Sequence, residues 1–258
     1  MNDFENEDDK ILIDKVLDKM NLAKTKNKIT NTLFLNAREQ RVIQKNIDLY
    51  GSYSYGIIMN SERNILVFVP DKMPTEARHK KMDELLSIIR ITLPNENKGK
   101  YEHRTYLSAL MKIGIERERI GDILVDENGA DIIIFSQNKD YAIASLRELT
   151  RFKKAIIEEI EPKDVREKIV NFEYHEIIVS SRRIDNIVAE LAKCSRSKAL
   201  SIIEDGRVQI NYEVELKPSR TILWGDIVTI RGKGKFIISD HRRNTKNGNM
   251  VLLVSKYS

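Results

Sequence analysis

The sequence predicts an α+β protein in which three differently patterned segments follow one another along 258 residues. Apolar residues recur at helical spacing over residues 7–49, and strand-like and helix-like segments alternate from about residue 85 to residue 160. Two short amphipathic helices and several short strands end the chain. The predicted parts are domains at residues 1–75, 76–160 and 180–258, with a linker and lead-in strand at residues 161–179.

The first predicted domain combines helices with a hairpin. Asn36 followed three residues later by Glu39 is the pattern of a capping box, which predicts a helix start. The apolar runs 53–59 and 65–69 are separated by a short polar stretch, which predicts a β-hairpin. Together these features predict a small α/β unit.

The middle of the chain alternates strands and helices. The predicted strands are residues 85–93, 122–125, 132–135 and 154–160, and the predicted helices are residues 103–113 and 138–150. The order βαββαβ is that of the ferredoxin-like plan, which the common RNA-recognition module shares. The inner strands lack the glycine-and-aromatic consensus of that module, so the plan assigns no function by itself.

The C-terminal part begins with two predicted helices. The first carries an apolar stripe at Ile184, Ile187, Val188 and Leu191. The second starts at Ser195 or Ser197 and ends at Gly206, which suits the left-handed position after a helix. Predicted strands follow at residues 207–210, 214–216, 226–231 and 236–239, with a turn at residues 232–235.

Positive charge is concentrated in this last part. Residues 180–258 hold 15 Lys and Arg against 8 Asp and Glu, whereas the preceding residues hold 29 against 31. An excess of cations in one small domain is typical of a protein that binds a polyanion such as nucleic acid. A solvated basic face would give the same bias.

The basic residues fall at defined places in the predicted elements. The candidate phosphate-binding residues are Arg182 and Arg183 at the first helix start, Arg196 and Lys198 at the second, and Lys233 and Lys235 in the glycine turn. Helix starts carry unpaired backbone amides and a partial positive charge, and arginine donates two parallel hydrogen bonds to phosphate. Ordinary surface arginines are the alternative interpretation.

Several classes of protein do not fit the composition. No apolar run approaches the roughly 18 residues that a membrane span needs, and the first ten residues are acidic rather than signal-like. The single cysteine, Cys194, fits a reducing cytoplasm, and the four histidines show no zinc-ligand spacing. We therefore expect a cytoplasmic protein without a metal, cofactor, small-molecule substrate or membrane partner.

Four motifs of the C-terminal part resemble a known RNA-binding domain. They are SRRIDNIVA at residues 181–189, SRSKA at 195–199, IxxGxVxIN at 203–211 and GDIVTIRG at 225–232. In this order they resemble the S-four type (alpha-L) domain of the small ribosomal subunit, which recurs in pseudouridine synthases and heat-shock-fifteen proteins. The resemblance implies an RNA face lined by Arg183, Arg196 and Lys198, with Lys233 and Lys235 alongside.

The first of these motifs departs from the usual pattern at one position. The usual Arg-Leu-Asp stands here as Arg183-Ile184-Asp185, which is a conservative apolar change. We expect the carboxylate of Asp185 to orient a neighbouring basic side chain rather than to contact RNA.

Two motifs outside the C-terminal part extend the resemblance. NAREQ at residues 36–40 and HRxxLSALMxxGIxRxxxGD at residues 103–122 are similar to the bacterial YlmH family. That family joins an N-terminal α/β unit, a ferredoxin-like domain and an S-four type domain, and its genes lie near cell-division genes. Asn36-Ala37 replaces the family's usual Asp-Pro. His103 and Arg104, at a predicted helix start, are additional candidates for RNA contact.

The resemblance implies three functions in order of preference. The first is non-enzymatic binding of structured RNA, with large-subunit ribosomal RNA as the target and tRNA as a further candidate, in the quality control or rescue of stalled ribosomal subunits. The second is an adaptor that binds a cell-division protein during septum placement. The third is a pseudouridine synthase-like RNA-modifying enzyme, which would need a larger catalytic domain than the sequence offers.

Overall fold

The computed structural model describes residues 7–49, 52–55, 61–70, 73–166 and 172–257. The chain divides into two compact units, Met1–Lys168 and Ile169–Ser258. Each unit has its own apolar core. None of the described helices is long and apolar enough to cross a membrane.

The first unit opens with helices and a small antiparallel sheet. Its elements are α1 (Glu7–Lys26), β1 (Thr30–Asn31), α2 (Ala37–Asn46), β2 (Ser52–Tyr55), β3 (Ile65–Phe68) and α3 (Thr75–Asp83), with strand order β1-β3-β2. The predicted capping box is confirmed, since the Glu39 amide donates to the Asn36 side chain at 3.0 Å and the Asn36 amide to Glu39 at 2.7 Å. The predicted hairpin pairs β2 with β3, although residues 56–60 lie outside the described part.

The second half of this unit has the predicted order βαββαβ. It consists of β4 (Leu86–Thr92), α4 (His103–Lys112), β5 (Ile120–Asp126), β6 (Gly129–Phe135), α5 (Ser136–Glu148) and β7 (Ile156–Ile160). All neighbouring strands are antiparallel, in the order β5-β6-β4-β7. Counted within this half the order is 2-3-1-4, which is the arrangement of the split-βαβ plan.

The β4–β7 sheet is covered on both faces. One face packs against α4 and α5 through a core that includes Tyr106, Leu110 and Leu146. The other face packs Ile133 and Phe135 of β6 against Phe34 and the strand β3. This double cover explains why all seven residues of β6 are buried. It also explains why residues 132–135 form a continuous apolar run rather than an alternating one.

The second unit is a six-stranded antiparallel sheet with two helices. Its elements are β8 (Phe172–Val179), α6 (Ile184–Ala192), α7 (Arg196–Glu204), β9 (Val208–Ile210), β10 (Glu213–Val214), β11 (Ile227–Ile230), β12 (Gly234–Asn244) and β13 (Met250–Tyr257). The strand order is β10-β9-β11-β12-β13-β8. The predicted helical stripe is confirmed, because Ile184, Ile187 and Val188 are fully buried and Leu191 packs beside them.

The strands of this unit differ from the prediction at the C-terminal end. β12 continues to Asn244 instead of stopping at residue 239, and β13 was not predicted at all. The extension is polar and carries Asp240, His241 and two arginines, so its sequence does not look like a strand. Pairing with the apolar strand β13 supplies the hydrogen bonds that hold it extended. Lys235 therefore lies on β12 rather than in the turn.

Candidate nucleic-acid interface

The start of α6 is fixed by a later segment of the chain. The amide of Ile222 donates to the carbonyl of Arg182 at 2.9 Å, and the amide of Ile184 donates to the carbonyl of Arg220 at 2.8 Å. Ile222 itself is fully buried in the core of the unit. The backbone that carries Arg182 and Arg183 is therefore held in place by long-range hydrogen bonds as well as by the helix.

The backbone amides at this helix start are already paired. The amides of Ile184 and Asp185 donate to the carbonyls of Arg220 and Pro218. The expectation of unpaired amides is therefore wrong for α6, because a loop more than thirty residues later supplies their acceptors. At α7 the Lys198 amide donates to the Oγ of Ser195 at 3.3 Å, which confirms Ser195 as the N-cap. The α6 start therefore offers a ligand side-chain donors rather than the amides of Ile184 and Asp185.

The buried carboxylate of Asp185 joins two arginines that belong to different helices. It accepts hydrogen bonds from Arg183 Nε at 3.2 Å and Nη2 at 3.0 Å, and from Arg196 Nε at 3.1 Å and Nη2 at 2.7 Å. The Asp185 side chain is 1% exposed, whereas those of Arg183 and Arg196 are 42% and 56% exposed. We call these three residues the arginine clamp.

The clamp combines one buried negative charge with two exposed positive charges. Burial alone would raise the pKa of Asp185, but the hydrogen bonds from Arg183 and Arg196 outweigh it and hold that pKa below its ordinary value. The hydrogen bond that Arg183 donates to Asp185 raises the pKa of Arg183. The carboxylate is therefore ionised at neutral pH, and the clamp presents a net positive charge to solvent through its two guanidinium groups.

The remaining predicted cations lie near α6, on α7 and on the β11–β12 hairpin. The guanidinium of Arg182 donates to the carbonyl of Ile222 at 3.2 Å and lies over the ring of Trp224. Lys198 is exposed in the first turn of α7, and Lys233 is exposed in the turn after β11. On β12, the Nζ of Lys235 lies 4.9 Å and 4.5 Å from the ring centres of Tyr212 and Tyr257.

His103 and Arg104 lie in the first unit, at the start of α4. Desolvation and the nearby positive charge of Arg117 lower the pKa of His103. The imidazole is therefore neutral at physiological pH and adds no cation for phosphate. Arg104 is exposed and supplies the cation of this pair.

The motifs that carried the resemblance in the first unit hold one segment of chain in place. Asp122 accepts from the amides of Glu62 and Arg63 at 2.9 Å and 3.1 Å. The side-chain amide of Gln40 donates to the carbonyl of Glu62 at 3.1 Å. The guanidinium of Arg63 donates to the carbonyls of Phe34 and Ile120. These contacts give both motifs a structural role.

Aromatic residues beside the cations were missed by the sequence reasoning. Trp224 and Tyr212 lie in turns between strands, where apolar periodicity gives no signal. The available clue was that the single tryptophan of the chain stands directly before the Gly225-Asp226 motif.

Two family models match parts of the chain. Residues 80–164 match the family model "Putative RNA-binding domain in YlmH", and residues 182–228 match the S4 domain. The chain therefore contains a domain similar to the RNA-binding domain of YlmH, followed by an S4 domain. The second match spans α6, α7 and the start of β11, so it contains the whole arginine clamp and Trp224.

Two similar proteins are informative. The chain is 28% identical over 246 residues to the ribosome-associated protein quality control protein P2 of Bacillus subtilis (strain 168), which covers 93% of this chain and 91% of the relative. It is 22% identical, with a TM-score of 0.50, to the structure of the cell division protein ylmH from Streptococcus pneumoniae. That likeness covers 64% of this chain and 99% of the other, and it shows a shared fold.

Proposed function

We propose that this protein binds structured RNA on the ribosome and catalyses no reaction itself. In the finer form of the proposal, its target is ribosomal RNA of the large subunit, with tRNA as a further contact. Binding would serve the quality control or rescue of stalled subunits in the cytoplasm. The observation that carries the proposal is the arginine clamp, which lies inside a match to an RNA-binding domain.

The geometry of the clamp suits a shaped RNA backbone. Each guanidinium uses two nitrogen donors on Asp185, so its plane is fixed before RNA arrives and one Nη group remains for a phosphate. Two cations at a fixed spacing select a pair of phosphates by position rather than by sequence. The binding domains matched at residues 80–164 and 182–228 support a binder rather than an enzyme.

The ribosomal target is supported by the Bacillus subtilis relative, whose name places it in ribosome-associated quality control. The alignment with that relative covers both units of this chain, not the C-terminal domain alone. We therefore assign the first unit to the same task and keep Arg104, His103 and the clamp as proposed contacts with one RNA assembly.

Co-sedimentation with purified ribosomal subunits tests the proposal. The full-length Arg183→Ala/Arg196→Ala variant is compared with the wild type and with Arg207→Ala, which removes an exposed arginine just after the far end of α7. We expect the double variant to bind about 10- to 100-fold more weakly to large subunits. In a plot of log affinity against log salt concentration, the slope of the double variant should be shallower by about two units. Each arginine that no longer binds a phosphate accounts for about one unit.

The control variant should bind like the wild type. If the double variant sediments with large subunits as well as the wild type does at about 150 mM salt, the clamp is not the RNA-binding surface. If the wild type sediments with neither subunit while retaining its fold, the ribosomal target is wrong. Binding to the small subunit alone would overturn the finer assignment to large-subunit RNA.

A further inference from the structure

A rigid turn carries two exposed apolar side chains next to the clamp. Leu223, Trp224, Gly225 and Asp226 form a turn in which the Asp226 amide donates to the Leu223 carbonyl at 3.2 Å. Gly225 has a φ of +82°, which is the left-handed conformation that the third residue of a type II turn requires. The buried Asp226 carboxylate accepts from the Leu223 amide at 2.8 Å and from the Asn211 side chain at 2.7 Å.

The side chains at the corner of this turn face solvent. Trp224 is 43% exposed and Leu223 is 59% exposed, although tryptophan is the largest apolar side chain available to the protein. A buried aspartate and a left-handed glycine thus fix a loop that contributes little apolar surface to the core. Such pre-organisation is expected of a contact surface, because it lowers the entropy cost of binding.

A cation covers part of the tryptophan. The guanidinium carbon of Arg182 lies 4.7 Å from the ring centre of Trp224, within the range of a cation–π contact. Indole rings and guanidinium planes are both surfaces on which proteins stack nucleobases. The pair therefore offers a flat aromatic and cationic surface in one place.

The turn adjoins the clamp through the backbone. Arg182 directly precedes Arg183, and the amide of Ile222 donates to the carbonyl of Arg182. An RNA strand whose phosphates contact Arg183 and Arg196 would therefore pass beside Trp224. The excess of positive charge in residues 180–258 favours an anionic polymer at this turn over an uncharged apolar partner.

We propose that Trp224 and Arg182 form a stacking site for an unpaired nucleobase of the RNA that the arginine clamp binds. The proposal rests on the proposed function and adds the class of RNA to it. A base inside a duplex is paired and stacked on its neighbours, so only a loop, bulge or frayed end can offer one. The preferred ligand is a stem with an unpaired nucleotide a short distance from the phosphates held by the clamp.

The single tryptophan makes this site directly observable. All tryptophan emission of the full-length protein comes from Trp224, since the chain contains one tryptophan. The probes are two synthetic RNAs of equal length and charge, one a blunt fully paired duplex and one a stem with a single bulged nucleotide. Base stacking on the indole should quench the emission and protect it from acrylamide with the bulged RNA, but not with the duplex.

Affinity measurements on variants complete the test. Trp224→Leu should weaken binding of the bulged RNA about 5- to 150-fold, the loss typical of one stacked base, and leave duplex binding unchanged. This loss should be the same at low and moderate salt, because stacking releases no counterions. Tyr174→Leu, which removes another exposed aromatic side chain of the same unit, is the matched control and should bind like the wild type.

The outcomes separate this inference from the proposed function. If both RNAs bind wild type and Trp224→Leu equally and no quenching occurs, the stacking site is wrong while RNA binding stands. Equal quenching by duplex and bulged RNA would also overturn it. If neither RNA nor ribosomal subunits bind the wild type, the proposed function fails first. Loss of ribosome binding without loss of RNA binding in Trp224→Leu would assign the turn to a protein partner and overturn the stacking site.

Discussion

At the scale of single residues, one buried carboxylate decides how the basic surface is presented. Exposed arginines normally sample many rotamers, and ordering each of them costs free energy on binding. Asp185 removes part of that cost for Arg183 and Arg196 by holding both side chains in one arrangement. The arginines stay half exposed, so the carboxylate orients the cations without hiding them.

Asp185→Asn separates orientation from net charge. The variant loses one negative charge, so its net charge rises by one. A surface that attracted RNA by net charge alone would therefore bind it more tightly. We expect weaker binding instead, because the amide side chain cannot accept the paired hydrogen bonds of two arginines. Filter binding with a structured RNA at fixed salt measures the change. Unchanged or tighter binding would show that the orientation of the arginines does not matter.

The stability difference between the wild type and Asp185→Asn should depend on pH. The folded-state pKa of Asp185 lies below its ordinary value of 3.8, so its contribution is present above that pH and disappears as the pH falls through the folded-state pKa. At pH 7 we expect Asp185→Asn to lower the free energy of unfolding by about 1–3 kcal/mol. Urea titrations at several pH values should show the gap from wild type closing below about pH 4.

At the scale of elements, the first unit depends on a close approach between β5 and the segment that follows β1. The amide of Phe34 donates to the carbonyl of Glu118 at 2.9 Å, and the Phe34 ring is 1% exposed. A Cβ placed on Gly121 would lie 2.8 Å from the Phe34 ring and 3.1 Å from Ile133. The absent side chain is what lets the aromatic ring cover the outer face of the sheet.

Gly121→Ala should therefore destabilise the first unit through overpacking. We expect a loss of about 1–3 kcal/mol in the free energy of unfolding, because the added methyl group would press on a ring that is buried in an apolar cluster. Phe34→Leu is the second substitution of the cycle, because it replaces the ring that a Cβ on Gly121 would clash with. The double variant should lose less than the sum of the two single losses, as a double-mutant cycle in denaturant would measure. Additive losses would mean that the two positions do not clash.

At the scale of the whole molecule, two units with separate cores imply two unfolding steps. The core of α6, α7 and the six-stranded sheet belongs to the second unit, and the other three clusters belong to the first. A chain of this kind is not expected to unfold in one all-or-none transition. Trp224 emission follows the second unit alone, whereas far-ultraviolet circular dichroism follows both.

We therefore expect the two probes to give non-coincident unfolding curves in urea. Gly121→Ala should shift the circular dichroism curve and leave the tryptophan curve unchanged, because Gly121 lies in the first unit. Asp185→Asn should shift the tryptophan curve, because Asp185 lies in the second unit. Added RNA should raise the midpoint of the tryptophan curve, because a ligand stabilises the unit that binds it. Coincident curves in the wild type and in both variants would instead show a single cooperative unit.

The sequence by itself determined the features that depend on neighbours along the chain. The stripe of Ile184, Ile187 and Val188 specified a buried helix face, and Ser195 and Asn36 marked helix starts that the structure confirms. Helical periodicity and capping are local, since they join residues within about four positions of one another. The βαββαβ order and the basic C-terminal part followed from the same kind of pattern.

Only the tertiary structure decided which of these residues act together. The first amides of α6 donate to the carbonyls of Pro218 and Arg220. Arg196 and Arg183 both donate to the carboxylate of Asp185, which lies eleven residues before Arg196 in the sequence. Hydrogen bonds between distant segments leave no periodic trace in a sequence, so periodicity and capping patterns predict neither contact. The polar end of β12 and the position of Trp224 beside Arg182 were missed for the same reason, since both depend on contacts between distant segments. Residue types specified a basic RNA-binding domain, and long-range pairing placed its cations and its aromatic ring side by side.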